Sequence, residues 1–156
     1  MRNVYPFLLI CFICLGCQFN DQSKDLRENE IVDSVTAVIN SVIDLTLQRD
    51  LEKMMALYAD SKEFRFIDDE GIPKSFIELK ALYQSFFASL EHLKLLESHI
   101  DVVTLSRDHA YCVWRGTEEL KMQGSELMQS AWIATIILKR IDGSWKIIHF
   151  HSTHQS

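Results

Sequence analysis

The sequence predicts an α+β fold in which helices cover one face of an antiparallel sheet. Two observations predict it. Apolar residues recur at every third or fourth position as far as about residue 93, which is the period of a helix. Beyond that point they recur at every second position, which is the period of a strand. A chain of 156 residues, 47% of them hydrophobic, has enough apolar side chains for one domain with its own core.

The first half contains three predicted helices. Apolar residues at steps of three and four from Ile31 to Leu45 predict a long first helix. Asp50 is a candidate N-cap for a short second helix, and the sequence FRFIDDEG then predicts a short strand and a turn. Ser75 and Glu78 have the spacing of a capping box, which predicts the start of a third, aromatic helix.

Three turn signals divide the second half into four strands. They lie at residues 107–108, 123–124 and 142–143, and the last of them, Asp-Gly, is typical of a tight hairpin. Strands joined by such short turns pair with their neighbours, so we expect an antiparallel meander. The final strand is predicted to run from Trp145 to Ser152.

The balance of charge excludes one class of partner. The chain has 16 Lys and Arg residues against 22 Asp and Glu residues, and its formal net charge is −6. Proteins that bind nucleic acid present clusters of basic residues to the phosphates, and the sequence contains no such cluster. We therefore expect no nucleic-acid partner.

The N-terminus has the pattern of a targeting signal. Arg2 precedes an apolar run from Phe7 to Gly16, which is shorter than the ~20 residues that span a bilayer. We therefore interpret residues 1–16 as a signal peptide rather than a transmembrane helix. The alternatives are an ordinary secretory signal, cleaved at another position, and a buried apolar N-terminus.

The end of this run resembles the lipobox of bacterial lipoproteins in the residues Leu15, Gly16 and Cys17. Cys14 stands where that motif usually has leucine. The resemblance implies that Cys17 carries a lipid. The polar composition from Gln18 onward separately predicts that residues 17–29 form a tether to the folded domain. The resemblance also implies a protein anchored in the bacterial cell envelope, and Gln18 after the cysteine favours the outer membrane.

Three segments of the chain resemble SnoaL-like domains of the nuclear transport factor 2-like superfamily. They are LYADSKEFRFIDDEG (57–71), HIDVVTLSRDHAYCVWRGT (99–117) and TIILKRIDGSWKIIHFHST (135–153). The resemblance covers residues 30–153 and implies an α+β roll, in which a cone-shaped sheet wraps around three N-terminal helices and leaves a cavity. Members include isomerases, polyketide cyclases, hydrolases and dimerisation modules, so the resemblance implies a fold rather than one activity.

Residues at alternate positions of a strand share one face, so this parity selects the side chains that face the cavity. One face of the early strand carries Phe66 and Asp68, and one face of the last strand carries Ile147, His149 and His151. Apolar and aromatic walls with a few polar groups are typical of small-molecule sites. The predicted ligand-binding residues are Tyr58, Phe66, Trp114, Trp132, His149 and His151.

The opposite parity of the last two strands is also apolar. It carries Ile133 and Ile137 on one strand and Ile148 and Phe150 on the next. A sheet that is apolar on both faces needs a cover on each of them, and the helices cover only one. We therefore expect a homodimer that forms through the outer face of the sheet, a pairing that the family resemblance also implies.

His149 and His151 admit three interpretations. As metal ligands they lack a third partner at a matching spacing, so we expect no metal and no cofactor. As catalytic groups, His149 and Asp68 form an acid–base pair, because histidine titrates near neutrality and burial tunes either group. As structural residues, the two histidines end the last strand at the rim of the cavity.

The sequence thus predicts a lipid-anchored envelope domain that binds a small, largely apolar molecule in its cavity. The first alternative is an acid–base enzyme of the isomerase or cyclase kind. The second alternative is a dimeric interaction module whose cavity is filled. These functions differ in a structural property, since a binding protein and an enzyme need open space inside the cone and an interaction module does not.

Overall fold

The computed structural model describes residues 15–155, with side chains for residues 26–154. The predicted signal peptide over residues 1–16 lies outside the described residues, except for its last two positions, and so does the side chain of Cys17. The described part contains, in chain order, α1 (Leu15–Gln48), α2 (Leu51–Met55), β1 (Arg65–Ile67), α3 (Phe76–Ser89), β2 (Leu90–Ser106), β3 (His109–Met122), β4 (Met128–Ile141) and β5 (Ser144–Gln155).

The strands form one curved sheet in the order β1-β5-β4-β3-β2. The four long strands make the antiparallel meander that the turn signals predict. The short strand β1 adds to the free edge of β5 in parallel, with Arg65 opposite His149, so the sheet is mixed rather than wholly antiparallel. The period of the apolar residues indicates which residues form a strand, but it does not indicate which other strand they pair with. The parallel pairing of β1 with β5 was therefore not predicted.

Helix α1 begins at Leu15, well before the periodic segment that predicts it. Residues 26–30 are all exposed, and packing against the domain begins at Ile31. Residues 17–29 thus belong to α1 and have a helical backbone. The role of this segment as a tether stays a prediction. No helix in the described part of the chain combines the length and the apolarity needed to cross a bilayer.

The helix starts follow the predicted caps. The Asp50 side chain accepts a hydrogen bond from the backbone N–H of Lys53 at the start of α2. Ser75 and Glu78 form the capping box of α3, in which the Ser75 backbone N–H donates to Glu78 Oε2 at 2.7 Å. These caps satisfy amides that have no partner within the helix, and they fix where α3 begins beneath the sheet.

The core lies between the helices and the concave face of the sheet. The buried residues of α1 are Ile31, Val35, Ile39 and Val42, which recur at the predicted steps of three and four. They pack on the inward side chains of the central strands, of which the fully buried ones are Ala110, Cys112, Ile136, Leu138 and Ile147. Burial of these apolar surfaces is the main force that holds helices and sheet together.

Strand β5 contains a β-bulge at Ile148. Ile147 pairs with Leu138 and His149 pairs with Ile137, so Ile148 is an extra residue between two neighbouring pairs. One extra residue reverses the side to which all later side chains point. Phe150 consequently faces the concave interior and is 6% exposed, whereas His149 and His151 point to the outer face. The prediction that the two histidines share a face with Ile147 is therefore wrong.

Candidate ligand-binding cavity

An open cavity of about 540 Å³ lies between the helices and the concave face of the sheet. Its walls come from the C-terminal half of α1, from α3, from β1 and the loop after it, and from β2 to β5. Most of the lining side chains are apolar, and these are Val42, Ile43, Leu47, Phe66, Leu82, Phe86, Leu93, Leu95, Trp114, Leu120, Met128, Trp132 and Phe150.

The structure brings only part of the predicted set to this cavity. Phe66, Trp114 and Trp132 line it. Tyr58 is instead buried in the adjoining core, where its ring contacts Phe64 edge to face with ring centroids 5.9 Å apart.

His149 and His151 lie on the outer face of the sheet, because the bulge in β5 turns them away from the interior. Partial burial and the neighbouring His151 lower the pKa of His149, which favours the neutral ring. Asp68 does line the cavity, but its carboxylate binds Lys74 Nζ at 2.6 Å. The predicted acid–base pair of Asp68 and His149 is therefore not assembled.

Two indoles form the aromatic wall of the cavity. The rings of Trp114 and Trp132 are inclined at 76°, with centroids 4.3 Å apart, and Trp114 Nε1 donates to Ser98 Oγ at 3.0 Å. Gly116 makes this arrangement possible. A Cβ at that position would lie 2.5 Å from the Glu97 carbonyl oxygen and 2.8 Å from Trp132 Cζ2. The glycine thus lets the Trp132 ring lie directly against the backbone of β3.

Glu118 places a carboxylate within these largely apolar walls. It lies on β3 opposite Ser130 of β4, and both side chains line the cavity. Burial raises the pKa of Glu118, and this effect is opposed in part by the imidazole of His154 and by the indole of Trp132. Glu118 was not among the predicted site residues, although it has the same strand parity as Trp114.

Tyr83 of α3 links this carboxylate to the core. Burial raises the pKa of Tyr83, and the negative charge of Glu118 raises it further. Burial also raises the pKa of Tyr58, and Tyr83 is close enough to contribute to that shift. Both phenols therefore stay protonated over the physiological pH range, so each keeps an O–H group that can donate a hydrogen bond.

His154 and Asp69 form a second polar group at the cavity. The His154 backbone N–H donates to Asp69 Oδ1 at 2.8 Å, and His154 Nδ1 lies 2.8 Å from Asp69 Oδ2. The backbone hydrogen bond is the main reason that the pKa of Asp69 is lowered. The pair joins the end of β5 to the loop after β1. Sequence reasoning missed it because it ended the last strand at Ser152, whereas β5 continues to Gln155.

The polar residues of the cavity do not form a metal centre in the described part of the chain, where no three His, Cys, Asp or Glu side chains converge. His149 and His151, which the sequence analysis considered as metal ligands, both lie on the outer face of the sheet.

Several solved structures share this architecture. An NTF-2 like protein of unknown function from Shewanella oneidensis MR-1 is 23% identical, with a TM-score of 0.61 over 78% of this chain and 98% of that chain. A ketosteroid isomerase-like protein from Erwinia carotovora atroseptica SCRI1043 is 22% identical, with a TM-score of 0.66 over 82% and 98% of the two chains. The hexachlorocyclohexane dehydrochlorinase LinA-type3 from Novosphingobium barchaimii LL02 is 14% identical, with a TM-score of 0.72 over 85% and 91%.

Likeness at these identities shows the fold and leaves the activity open. No curated protein matches the sequence. The model of the SnoaL-like domain family matches residues 35–154, which run from the middle of α1 almost to the end of β5. This match covers the helices, the sheet and the cavity together, and the protein belongs to the SnoaL-like domain family, with a nuclear transport factor 2-like fold.

Proposed function

We propose that the protein binds a small, largely apolar molecule in the cavity between its helices and its sheet. The cavity itself supports this function, because its volume of about 540 Å³ lies within the range of ~300–1,000 Å³ that is usual for ligand sites. Its walls combine apolar and aromatic side chains with a few polar groups, which is the composition such sites need. An interaction module with a filled cone has no need of this space.

Filling the cavity from one wall tests the proposal. The Ser152 side chain on β5 points to the concave face of the sheet and lines the cavity, whereas its neighbour Thr153 is exposed on the opposite face. In the protein purified gently from its own host, native mass spectrometry is expected to show one retained small molecule per chain. Ser152→Phe places a ring in the cavity and should abolish this added mass, whereas Thr153→Phe should keep it. Equal retention by both folded variants would contradict binding in this cavity.

Acid–base catalysis is a second candidate function, and the His154–Asp69 pair favours it. Asp69 holds the Nδ1 side of the imidazole, which leaves Nε2 to accept a proton when the ring is neutral. Glu118 supplies a carboxylate in the same cavity. The structural neighbours described as ketosteroid isomerase-like and as a dehydrochlorinase are consistent with proton transfer in a cavity of this fold.

Exchange of α-hydrogens in D₂O tests this second function. A general base in the cavity should accelerate deuterium uptake by an apolar cyclic ketone such as 2-tetralone, measured by NMR against buffer alone. General-base catalysis contributes roughly 10²–10⁴-fold, so His154→Gln should remove most of the acceleration. His99→Gln should leave it unchanged, because His99 pairs with Asp101 and does not line the cavity. Exchange at the buffer rate with the unaltered protein would rule out this activity for the probe's class of substrate.

We also propose that the protein forms a homodimer through the outer face of the sheet. Ile133 and Val103 are each 42% exposed on that face, and Ile137 and Val113 are half-buried beside them. Phe150, which the sequence analysis counted with this face, belongs to the cavity because of the bulge. The apolar patch is therefore smaller than the sequence suggests, and a second copy of the same patch is the cover that we propose for it.

A charge on the outer face tests the dimer. Ile133→Lys places a cation in the proposed interface and should convert a dimer to a monomer in multi-angle light scattering. Ile77→Lys is the matched control, since Ile77 is 76% exposed on α3 and lies away from the sheet. A monomeric unaltered protein, or a dimer that survives Ile133→Lys, would contradict the proposed interface.

We further propose that Cys17 carries a lipid that anchors the protein in the bacterial cell envelope, at the outer membrane. The proposal is supported by the N-terminal segment, in which an apolar run is followed by the lipobox-like residues Leu15, Gly16 and Cys17.

Membrane fractionation tests the anchor. Cys17→Ala should move the protein from the membrane fraction to the soluble fraction, and mass spectrometry should find acyl chains only on the unaltered protein. Cys112→Ala is the control, because burial raises the pKa of that thiol to about 12 and keeps it unreactive. An unaltered protein that carries no acyl chain would contradict lipid attachment at this residue.

A further inference from the structure

We propose that the ligand is an apolar molecule that carries a positively charged amine, and that this amine binds the carboxylate of Glu118. The inference rests on the proposed binding function and names the class of ligand that the cavity takes. Two features carry it, namely the sign of the charges around the cavity and the way in which the acidic side chains are already paired.

The charged groups that line the cavity are almost all acidic. Asp68, Asp69, Glu70 and Glu118 contribute four carboxylates, and His154 contributes an imidazole. No lysine or arginine is among the described residues that line the cavity. The potential inside the cavity is therefore negative, and it favours cationic over anionic ligands.

Three of these carboxylates already have a partner. Lys74 Nζ lies 2.6 Å from Asp68 Oδ2 and 3.2 Å from Glu70 Oε2, and it approaches from outside the cavity lining. His154 Nδ1 lies 2.8 Å from Asp69 Oδ2. Glu118 makes no salt bridge with any residue that the structure describes. The Trp132 indole and the His154 imidazole interact with it without forming an ion pair, so Glu118 is the carboxylate whose charge a ligand would neutralise.

The surroundings of Glu118 suit a cation. A half-buried carboxylate has lost part of its hydration, and an ammonium group would replace it with a charge-assisted hydrogen bond. The indole of Trp132 and the phenol of Tyr83 are close enough to Glu118 to interact with its charge.

An acidic ligand meets the opposite situation. A carboxylate placed in the cavity would add a second negative charge beside Glu118, and no described residue of the lining is a lysine or arginine that could compensate it. A neutral alcohol would donate one hydrogen bond to Glu118 but leave its charge uncompensated. For molecules with the same apolar part, the expected order of affinity is amine, then alcohol, then carboxylate.

A matched set of probes tests this order by isothermal titration calorimetry on the full chain. Decylamine, decanol and decanoate share one flexible apolar chain and differ in the charge of one end. Glu118→Gln keeps the size of the side chain and removes its charge. It should weaken decylamine binding by at least about tenfold, as expected for a hydrogen bond to a charged group, and should change decanol binding by less than about threefold.

The control separates the site from general attraction to an acidic protein. Glu119→Gln removes one negative charge from the next residue of β3. Glu119 pairs with Gln129 in the sheet, and its Oε2 lies 3.7 Å from His92 Nε2. Its side chain does not line the cavity. This variant should bind decylamine as the unaltered protein does, and equal losses in both variants would overturn the assignment to Glu118.

The outcomes distinguish this inference from the function on which it rests. Binding of decanoate as tight as that of decylamine would overturn the preference for amines and leave the binding function standing. Saturable binding of none of the three probes would overturn the binding function itself. Binding in the expected order, with the preference for decylamine lost only in Glu118→Gln, would establish both.

Discussion

The pairing of β5 with β4 determines which side chains reach the cavity. Because the bulge at Ile148 inserts one residue, every later side chain of β5 points to the side opposite to that expected from simple alternation. Phe150, Ser152 and His154 consequently line the cavity, and His149 and His151 face outward. The polar pair at Asp69 and the exposed surface of the last strand both depend on this local irregularity.

The cavity stays open because the core is filled elsewhere. The buried residues of α1 pack against the central strands, while the last turns of α1 and α3 contribute only one side of the cavity wall. Gly116 lets Trp132 lie against β3, so the two indoles build a wall instead of filling the space. Polar groups are few and held in place, since Asp69 binds His154 and Lys74 binds Asp68. Glu118 is the carboxylate whose charge this arrangement leaves for a ligand.

Local signals predicted the helices and strands well. Ser75 and Glu78 form the capping box that their spacing indicates, and the turn at residues 142–143 joins the last two strands. The site was predicted less completely. Phe66, Trp114 and Trp132 line the cavity, but His149 and His151 do not, and Glu118 and His154 were missed. The apolar parity changes between the neighbouring residues Ile147 and Ile148, but the same pattern also fits a strand that is apolar on both faces.

The sequence by itself determined the class of fold, the order of its elements and the negative charge of the protein. These properties depend on periodicity, caps and turns, which act over a few residues. The tertiary structure decided the parallel pairing of β1, the direction of the β5 side chains and the contacts of Asp69 and Glu118. Each of these features depends on contacts between residues that are far apart in the chain. The relative positions of those residues follow from strand register and packing, which no local pattern specifies.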